Sequence, residues 1–382
     1  MKIGLLGHGV VGGGVSKITD SCALKKIRRL EVARILVKDE WEMTDPRCTM
    51  NVEDILSDPD IEVVAECMGG IEPARTFAAR ALEAGKHVVT SNKKMFAACC
   101  EELFELAKEN NVTIRYEASC GGGIPWISSL SRIRRLEGVD SFEGIFNGTT
   151  NYILTRMEET GSGLAENLAE AQSLGYAEKD PTDDLEGYDV RYKTAISSMK
   201  AFDAAVSPDA IPAYGIAHVS AEDIAWAKEQ GRCLKLIGSG KKNPGSVSLW
   251  VMPVFVKQDD VFASVKENFN ALKSVSATLG SAVFTGQGAG ALPTAHAVVQ
   301  DLLDIYQRQD MELPRLNHVP VDNSGVKARF YIRTANPEAF AGVKAADAGE
   351  HALVTEVLSL PELEEYLKGC GDETVFAAMV KE

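Results

Sequence analysis

No stretch of the 382 residues is apolar over the roughly 20 positions that a membrane-spanning helix needs. The nearest approach is the opening "MKIGLLGHGVVGGGV", which also has the outline of a secretory leader, one lysine ahead of an apolar run. Glycines and His8 interrupt it, which argues against both readings. Positive charge is scarce: 40 Lys and Arg against 55 Asp and Glu leave a formal −15, the wrong sign for neutralising phosphates. The eight cysteines (22, 48, 67, 99, 100, 120, 233 and 370) show neither zinc spacing nor a disulfide framework. The six histidines are scattered, and none falls in a metal-ligand pattern. These absences exclude nucleic-acid and membrane partners and point to a protein of a reducing cytoplasm.

At this length, with 45% apolar residues, the chain has material for two or three domains with real cores. In its first third, short apolar runs ("KIGLL", "VARILV", "EVVAEC", "HVVTS", "VTIRYEA") alternate with helix-like stretches such as "EPARTFAARALEAGK". That alternation predicts an α/β fold with a doubly wound parallel sheet over residues 1–130. "SVSLWVMPVFV", "KSVSATL" and "SAVFTG" predict a second, α+β domain over 131–285 with a more antiparallel sheet. In "VRYKTAISSMKAFDAA", apolar residues at 192, 195, 196, 199 and 202 form one helical stripe. A small C-terminal unit is expected over 320–382, set off by "NHVPVDNSG".

Gly7-His8-Gly9-Val10-Val11-Gly12 follows the first strand and leads into a helix-like segment. Glycines at this spacing allow a tight turn, close approach of a pyrophosphate, and close helix–strand packing. The helix N-terminus behind them offers N–H groups and a positive dipole end to phosphates. The plainer alternative is a structural turn. At the end of the second strand an acidic residue favours NAD and a basic one NADP. This chain has Lys38 and then Asp39, which leaves both open and tilts toward NADP.

The stretch "AEKDPTDDLEGYDVRYK" (177–193) packs six carboxylates and three basic side chains into seventeen residues. Asp189 and Lys193, spaced i, i+4, share one helix face and border the apolar stripe. From spacing alone a surface ion pair is the plainer reading. With "ALEAGKHVVTSNKKMFA", "YEASCGGGIPWISSL", "GIFNGTTNYILTRM" and "GQGAGALPTAHAVVQDLLDI", in this order, the chain resembles homoserine dehydrogenases over roughly residues 1–310.

The resemblance implies reduction of aspartate 4-semialdehyde to L-homoserine, a small-molecule substrate, with NADP or NAD. It implies Lys193 as the proton-transfer residue, Asp189 as its orienting partner, and Lys93 beside the nicotinamide. Substrate contacts fall on Glu178 (the ammonium anchor), Asp184, Tyr176, Thr149 and Gly175. Cofactor contacts fall on Gly7, Gly9, Val10, Val11, Gly12, Lys38, Ser91, Lys93 and Gly288, the last on a segment (about 286–310) that returns to the first domain. Backbone carbonyls of Glu117, Cys120, Gly122 and Ile124 are implied to hold a monovalent cation, Na or K. A homodimer or homotetramer is implied as well. Cys120 also invites a nucleophile reading, as in acylating semialdehyde dehydrogenases, although no histidine has an assignable pairing role. A dinucleotide sensor without catalysis is the other rival. The tail reads as strand, strand, helix, strand, similar to a reduced ACT module. Residues 335–350 are too few for the helix and strand that module has there, so threonine sensing is not expected.

Overall fold

The computed structural model describes residues 1–21, 29–309, 313–349 and 351–382. Cys22 lies outside them, and none of the seven described cysteines forms a disulfide. The chain divides into two compact units. The first comprises Met1–Leu136, Met199–Ser207 and Gln287–Asn317; the second comprises Glu137–Ser198, Pro208–Gly286 and His318–Glu382.

The first unit holds a six-stranded parallel sheet of β1 (Lys2–Leu6), β2 (Glu31–Leu36), β3 (Cys48–Thr49), β4 (Ile61–Glu66), β5 (His87–Thr90) and β6 (Ile114–Arg115). Their order is β3-β2-β1-β4-β5-β6, so the sheet reverses direction of winding between β1 and β4. Ligands bind such sheets at the carboxyl ends of the strands flanking this point. The strands are apolar because both faces are covered, and Ile3, Leu5, Val63, Val64 and Val89 are fully buried. Helix α1 (Val10–Asp20) packs on the returning helix Ala291–Tyr306. Gly14 permits this contact, since a Cβ there would lie 2.8 Å from the Ala291 carbonyl oxygen.

The second unit is built on a long mixed sheet. From one edge its strands run Gly280–Gln287, Phe269–Ser276, Val139–Ile145, Arg232–Asn243, Ser246–Lys257, Phe376–Val380, Lys327–Arg333, Ala352–Thr355 and Lys344–Asp347. The expected third unit is therefore corrected: residues 318–382 extend the second unit's sheet, through parallel pairing of Val254 with Met379. One apolar core joins Ile237, Met252 and Val254 to Phe330, Ile332, Leu353 and Leu363. The expectation that 335–350 lacks room for a helix and a strand is corrected in part. A 3-10 turn, Pro337–Val343, replaces the α-helix, and the strand Lys344–Asp347 follows it directly. At ~2 Å rise per residue a 3-10 turn spans more distance with fewer residues.

Candidate active site

In the first unit the glycine motif forms the turn from β1 into α1. Gly7 has φ +88°, and a Cβ on Gly12 would lie 2.0 Å from the Gly7 carbonyl oxygen. Above Gly9 nothing stands within 4 Å of where a Cβ would be, which leaves backbone open to an approaching group. Val10, at the start of the helix, is 72% exposed, unlike the apolar residues on the helix's packed face. These features fit a dinucleotide pyrophosphate. After β2, the backbone N–H groups of Lys38 and Asp39 donate to Glu42 Oε2 at 2.9 and 3.0 Å, and the Lys38 side chain is exposed. Arg47, nearby in sequence, is held by Asp20 and Asp45.

Beyond β5, Ser91 leads through the helix cap Asn92 to Lys93, the first residue of α4 (here α4 denotes Lys93–Glu109, following α2, Glu53–Leu56, and α3, Ala74–Glu83). Lys93 is half-buried.

The loop 117–124 turns through Gly121 (φ +90°) and Gly122 (φ +58°). Gly122 lies against Gly288, whose carbonyl atoms would be 2.4 Å from a Cβ at 122, and Gly123 N–H donates to the Gln287 carbonyl at 3.1 Å. The two segments singled out in the sequence are thus neighbours. Two of the four carbonyls implied for a cation already accept backbone N–H groups: Glu117 from Cys120 (3.2 Å) and Ile124 from Trp126 (2.8 Å). Each carbonyl oxygen keeps a second lone pair, so a cation remains compatible with the turn. No cluster of acidic, histidine or cysteine side chains suited to a metal occurs among the described residues, and a carbonyl cage needs none. The Glu117 carboxylate has another task. It accepts from Ile127 N–H (2.9 Å) and Ser128 N–H (2.7 Å) at the start of the helix Trp126–Arg134, while burial pushes its pKa up. Cys120 is fully buried.

In the second unit the acidic stretch separates into parts with different surroundings. Asp189 and Lys193 open the helix Tyr188–Phe202 and are 1% and 8% exposed, which rules out a surface ion pair. Lys193 Nζ donates to Asp189 Oδ2 and to the Phe146 carbonyl, both at 2.7 Å. Asn147 Nδ2 donates to Asp189 Oδ2 (2.8 Å) and to Asp184 Oδ1 (2.6 Å), and its Oδ1 accepts from Thr150 N–H to cap the helix Gly148–Thr160. Asn147 therefore separates two carboxylates that would otherwise repel each other. Its place in "FNGTT" was visible in the sequence, but only the tertiary contact reveals the bridging. Thr149 Oγ1 donates to the Tyr176 carbonyl at 2.6 Å, across a chain reversal made by Gly175 (φ +75°). Tyr176 is 40% exposed and its ring meets Tyr152 edge-on. Glu178 is exposed and stands outside the buried network.

The apolar stripe expected along 192–202 is buried at Ala195, Ile196, Met199 and Phe202, and the packed face is wider than that stripe. Thr194, Ser197 and Ser198 are buried along with it, and Thr194 presses on Gly238 of the strand beneath. Small hydroxyl side chains allow this close approach, which a polarity pattern registers as solvent exposure.

A doubly wound dinucleotide unit joined in one chain to a buried Lys–Asp pair with satellite carboxylates defines a class, the dinucleotide-dependent oxidoreductases of small polar substrates. Two family models match: "Homoserine dehydrogenase, NAD binding domain" over residues 7–117 and "Homoserine dehydrogenase" over 125–303. The chain belongs to the homoserine dehydrogenase family. It is 37% identical to a homoserine dehydrogenase of Bacillus subtilis over 80% of this chain and 72% of that one. It is 40% identical to one of Synechocystis over 80% and 73%. The crystal structure of a homoserine dehydrogenase from Thiobacillus denitrificans superposes with a TM-score of 0.89 at 30% identity, covering 100% of this chain and 98% of that one. A hyperthermophilic archaeal homoserine dehydrogenase in complex with NADPH gives 0.69 at 25% identity, covering 83% and 99%. The chain is an oxidoreductase with a nicotinamide dinucleotide as cofactor. None of its described helices is long and apolar enough to cross a membrane.

Proposed function

We infer that this chain interconverts L-aspartate 4-semialdehyde and L-homoserine, on the route to threonine, methionine and isoleucine. The observation that carries the reading is the buried Lys193–Asp189 pair, bonded to Phe146 and Asn147. A bound nicotinamide supplies or accepts the hydride. In the reductive direction charge grows on the aldehyde oxygen, and Lys193 is the acid that protonates it. Asp189 holds the lysine in place, and Lys93 polarises the same oxygen.

The substrate has an α-ammonium and an α-carboxylate, so anchors of both signs are needed. Glu178 is assigned to the ammonium, with Asp184, Tyr176, Thr149 and Gly175 around the substrate. On the cofactor side, Gly7, Gly9, Val10, Val11 and Gly12 take the pyrophosphate, with Ser91, Lys93 and Gly288 toward the nicotinamide. Exposed Lys38 favours NADP, and the NADPH held by the archaeal relative agrees with that preference. The carbonyls of Glu117, Cys120, Gly122 and Ile124 are assigned to a monovalent cation, Na or K. A homodimer or homotetramer is supported by the edge strand Gly280–Gln287, none of whose residues is buried within the described chain.

Homoserine oxidation followed by nicotinamide absorbance, with NAD and NADP tested separately, checks the reading. Turnover with homoserine and faster turnover with NADP are expected. Dinucleotide binding without turnover would favour the sensor, and phosphate-dependent activity lost in Cys120→Ser would favour the acylating enzyme.

A further inference from the structure

Glu66 closes strand β4 and is fully buried, in a run where its neighbours are Val63, Val64 and Ala65. A carboxyl group withdrawn from water is costly, and an apolar residue would serve the sheet better. Its side-chain hydrogen bonds run to the loop after β4 and to the last residue of β5. Glu66 Oε1 accepts from Met68 N–H at 2.7 Å, and Oε2 accepts from Thr90 Oγ1 at 2.5 Å. Thr90 Oγ1 in turn accepts from Asn92 N–H at 3.0 Å. Asn92 Nδ2 donates to the Gly70 carbonyl at 2.6 Å, and Asn92 Oδ1 accepts from Met95 N–H at 3.1 Å, capping α4. Lys93 is the next residue.

The chain leaving β4 and the chain leaving β5 are therefore tied twice, once at the strand ends through Glu66–Thr90 and once between the loops through Asn92–Gly70. Both ties converge on the cap that sets the direction of α4 at Lys93. We propose that Glu66 is a positioning residue for Lys93, acting through Thr90 and Asn92. This rests on the catalytic reading of Lys93 given above. A role in fold stability alone would not require that one carboxyl oxygen engage the loop after β4 and the other the strand end that leads into this cap.

The test is a double-mutant cycle on kcat for homoserine oxidation, using the full chain. Glu66→Gln keeps the size of the side chain but replaces one accepting oxygen by an amide that can only donate, so the bond from Met68 N–H is lost or the bond with Thr90 Oγ1 is reversed. In the parent background a drop of at least ~10-fold is expected, because displacing a reacting group by a fraction of an ångström costs rate steeply. In a Lys93→Ala background, assayed at high enzyme concentration, Glu66→Gln should cost nothing further. Thr90→Val, which removes one hydroxyl, should behave in the same way and serves if Glu66→Gln does not fold. Asn92→Ser, which retains a helix-capping oxygen, should retain more activity than Asn92→Ala. Equal losses in both backgrounds would reduce Glu66 to a fold-maintaining residue and overturn the proposal alone. A Lys93→Ala enzyme as fast as the parent would instead overturn the catalytic reading of Lys93.

Discussion

Asp189 accepts from both Lys193 and Asn147 and is 1% exposed, whereas Glu178 of the same stretch is exposed. Lys193→Met is expected to lower kcat by ~10²-fold or more with dinucleotide affinity nearly unchanged, the size of a lost acid–base contribution. Steady-state kinetics alongside dinucleotide titration check both halves. Glu178, exposed and outside the buried network, has only substrate to bind in this reading. Glu178→Gln should therefore raise KM for homoserine by an amount equivalent to ~1.5–3 kcal/mol. An unchanged KM would pass the ammonium to Asp184. Glu66 offers a pH test independent of turnover. Burial pushes its pKa up to about 7, against the lowering effect of its hydrogen bonds with Thr90, Met68 and Asn92. Between the ordinary glutamate value of ~4.3 and about 7, the unfolded chain has lost this proton while the folded chain keeps it. Folding binds a proton across this window, so Glu66 erodes stability as pH rises through it, by up to ~3 kcal/mol. Urea unfolding of the parent and of Glu66→Gln at successive pH values should show this component only in the parent.

At the scale of elements, glycines decide where the chain reverses. Gly187, at φ +78°, breaks the short helix α8 (Thr182–Leu185) from α9 (Tyr188–Phe202); α6 and α7 are Gly148–Thr160 and Leu164–Ser173, and α5 is Trp126–Arg134. That reversal lets Asp184 and Asp189, on different helices, reach the same Asn147 amide. Gly12 does the equivalent for the cofactor turn. With a Cβ only 2.0 Å from the Gly7 carbonyl oxygen, Gly12→Ala must move either α1 or the loop. Overpacking of this kind costs ~1–3 kcal/mol, and the displaced loop should lose most of its dinucleotide affinity. Thermal unfolding and a fluorescence titration with NADPH measure the two effects. Unchanged binding would make the motif a structural turn.

At the scale of the molecule, each unit has its own apolar core, and the chain crosses between units five times. The second unit's core draws on residues as far apart as Ile145 and Met379. Deleting residues 320–382 would strip Phe330, Ile332, Leu353 and Met379 from that core and unpair one edge of Ser246–Lys257. The truncated protein is therefore expected to lose the second unit's cooperative unfolding and all turnover. Calorimetry should retain a transition for the first unit, with dinucleotide binding preserved. A fully active truncated enzyme would show that the tail is dispensable to this core.

Much of the first unit was legible because a parallel sheet covered on both faces gives unbroken apolar strands, and because the glycine turn has few physical alternatives. The family resemblance likewise rests on local strings: "GYAEKDPTDDLEG" and "FNGTTN" carry their chemistry in order and spacing. What the sequence could not convey is pairing across long separations. The tail's strand Phe376–Val380 joins a strand more than a hundred residues earlier, and nothing local marks an edge that will be covered in this way. Burial of polar groups was equally hidden. Glu66 reads as one acidic residue ending a strand, and Thr194, Ser197 and Ser198 fall outside the apolar stripe of their helix. Each is buried because partners distant in the chain supply hydrogen bonds or room, and only the tertiary structure brings those partners together.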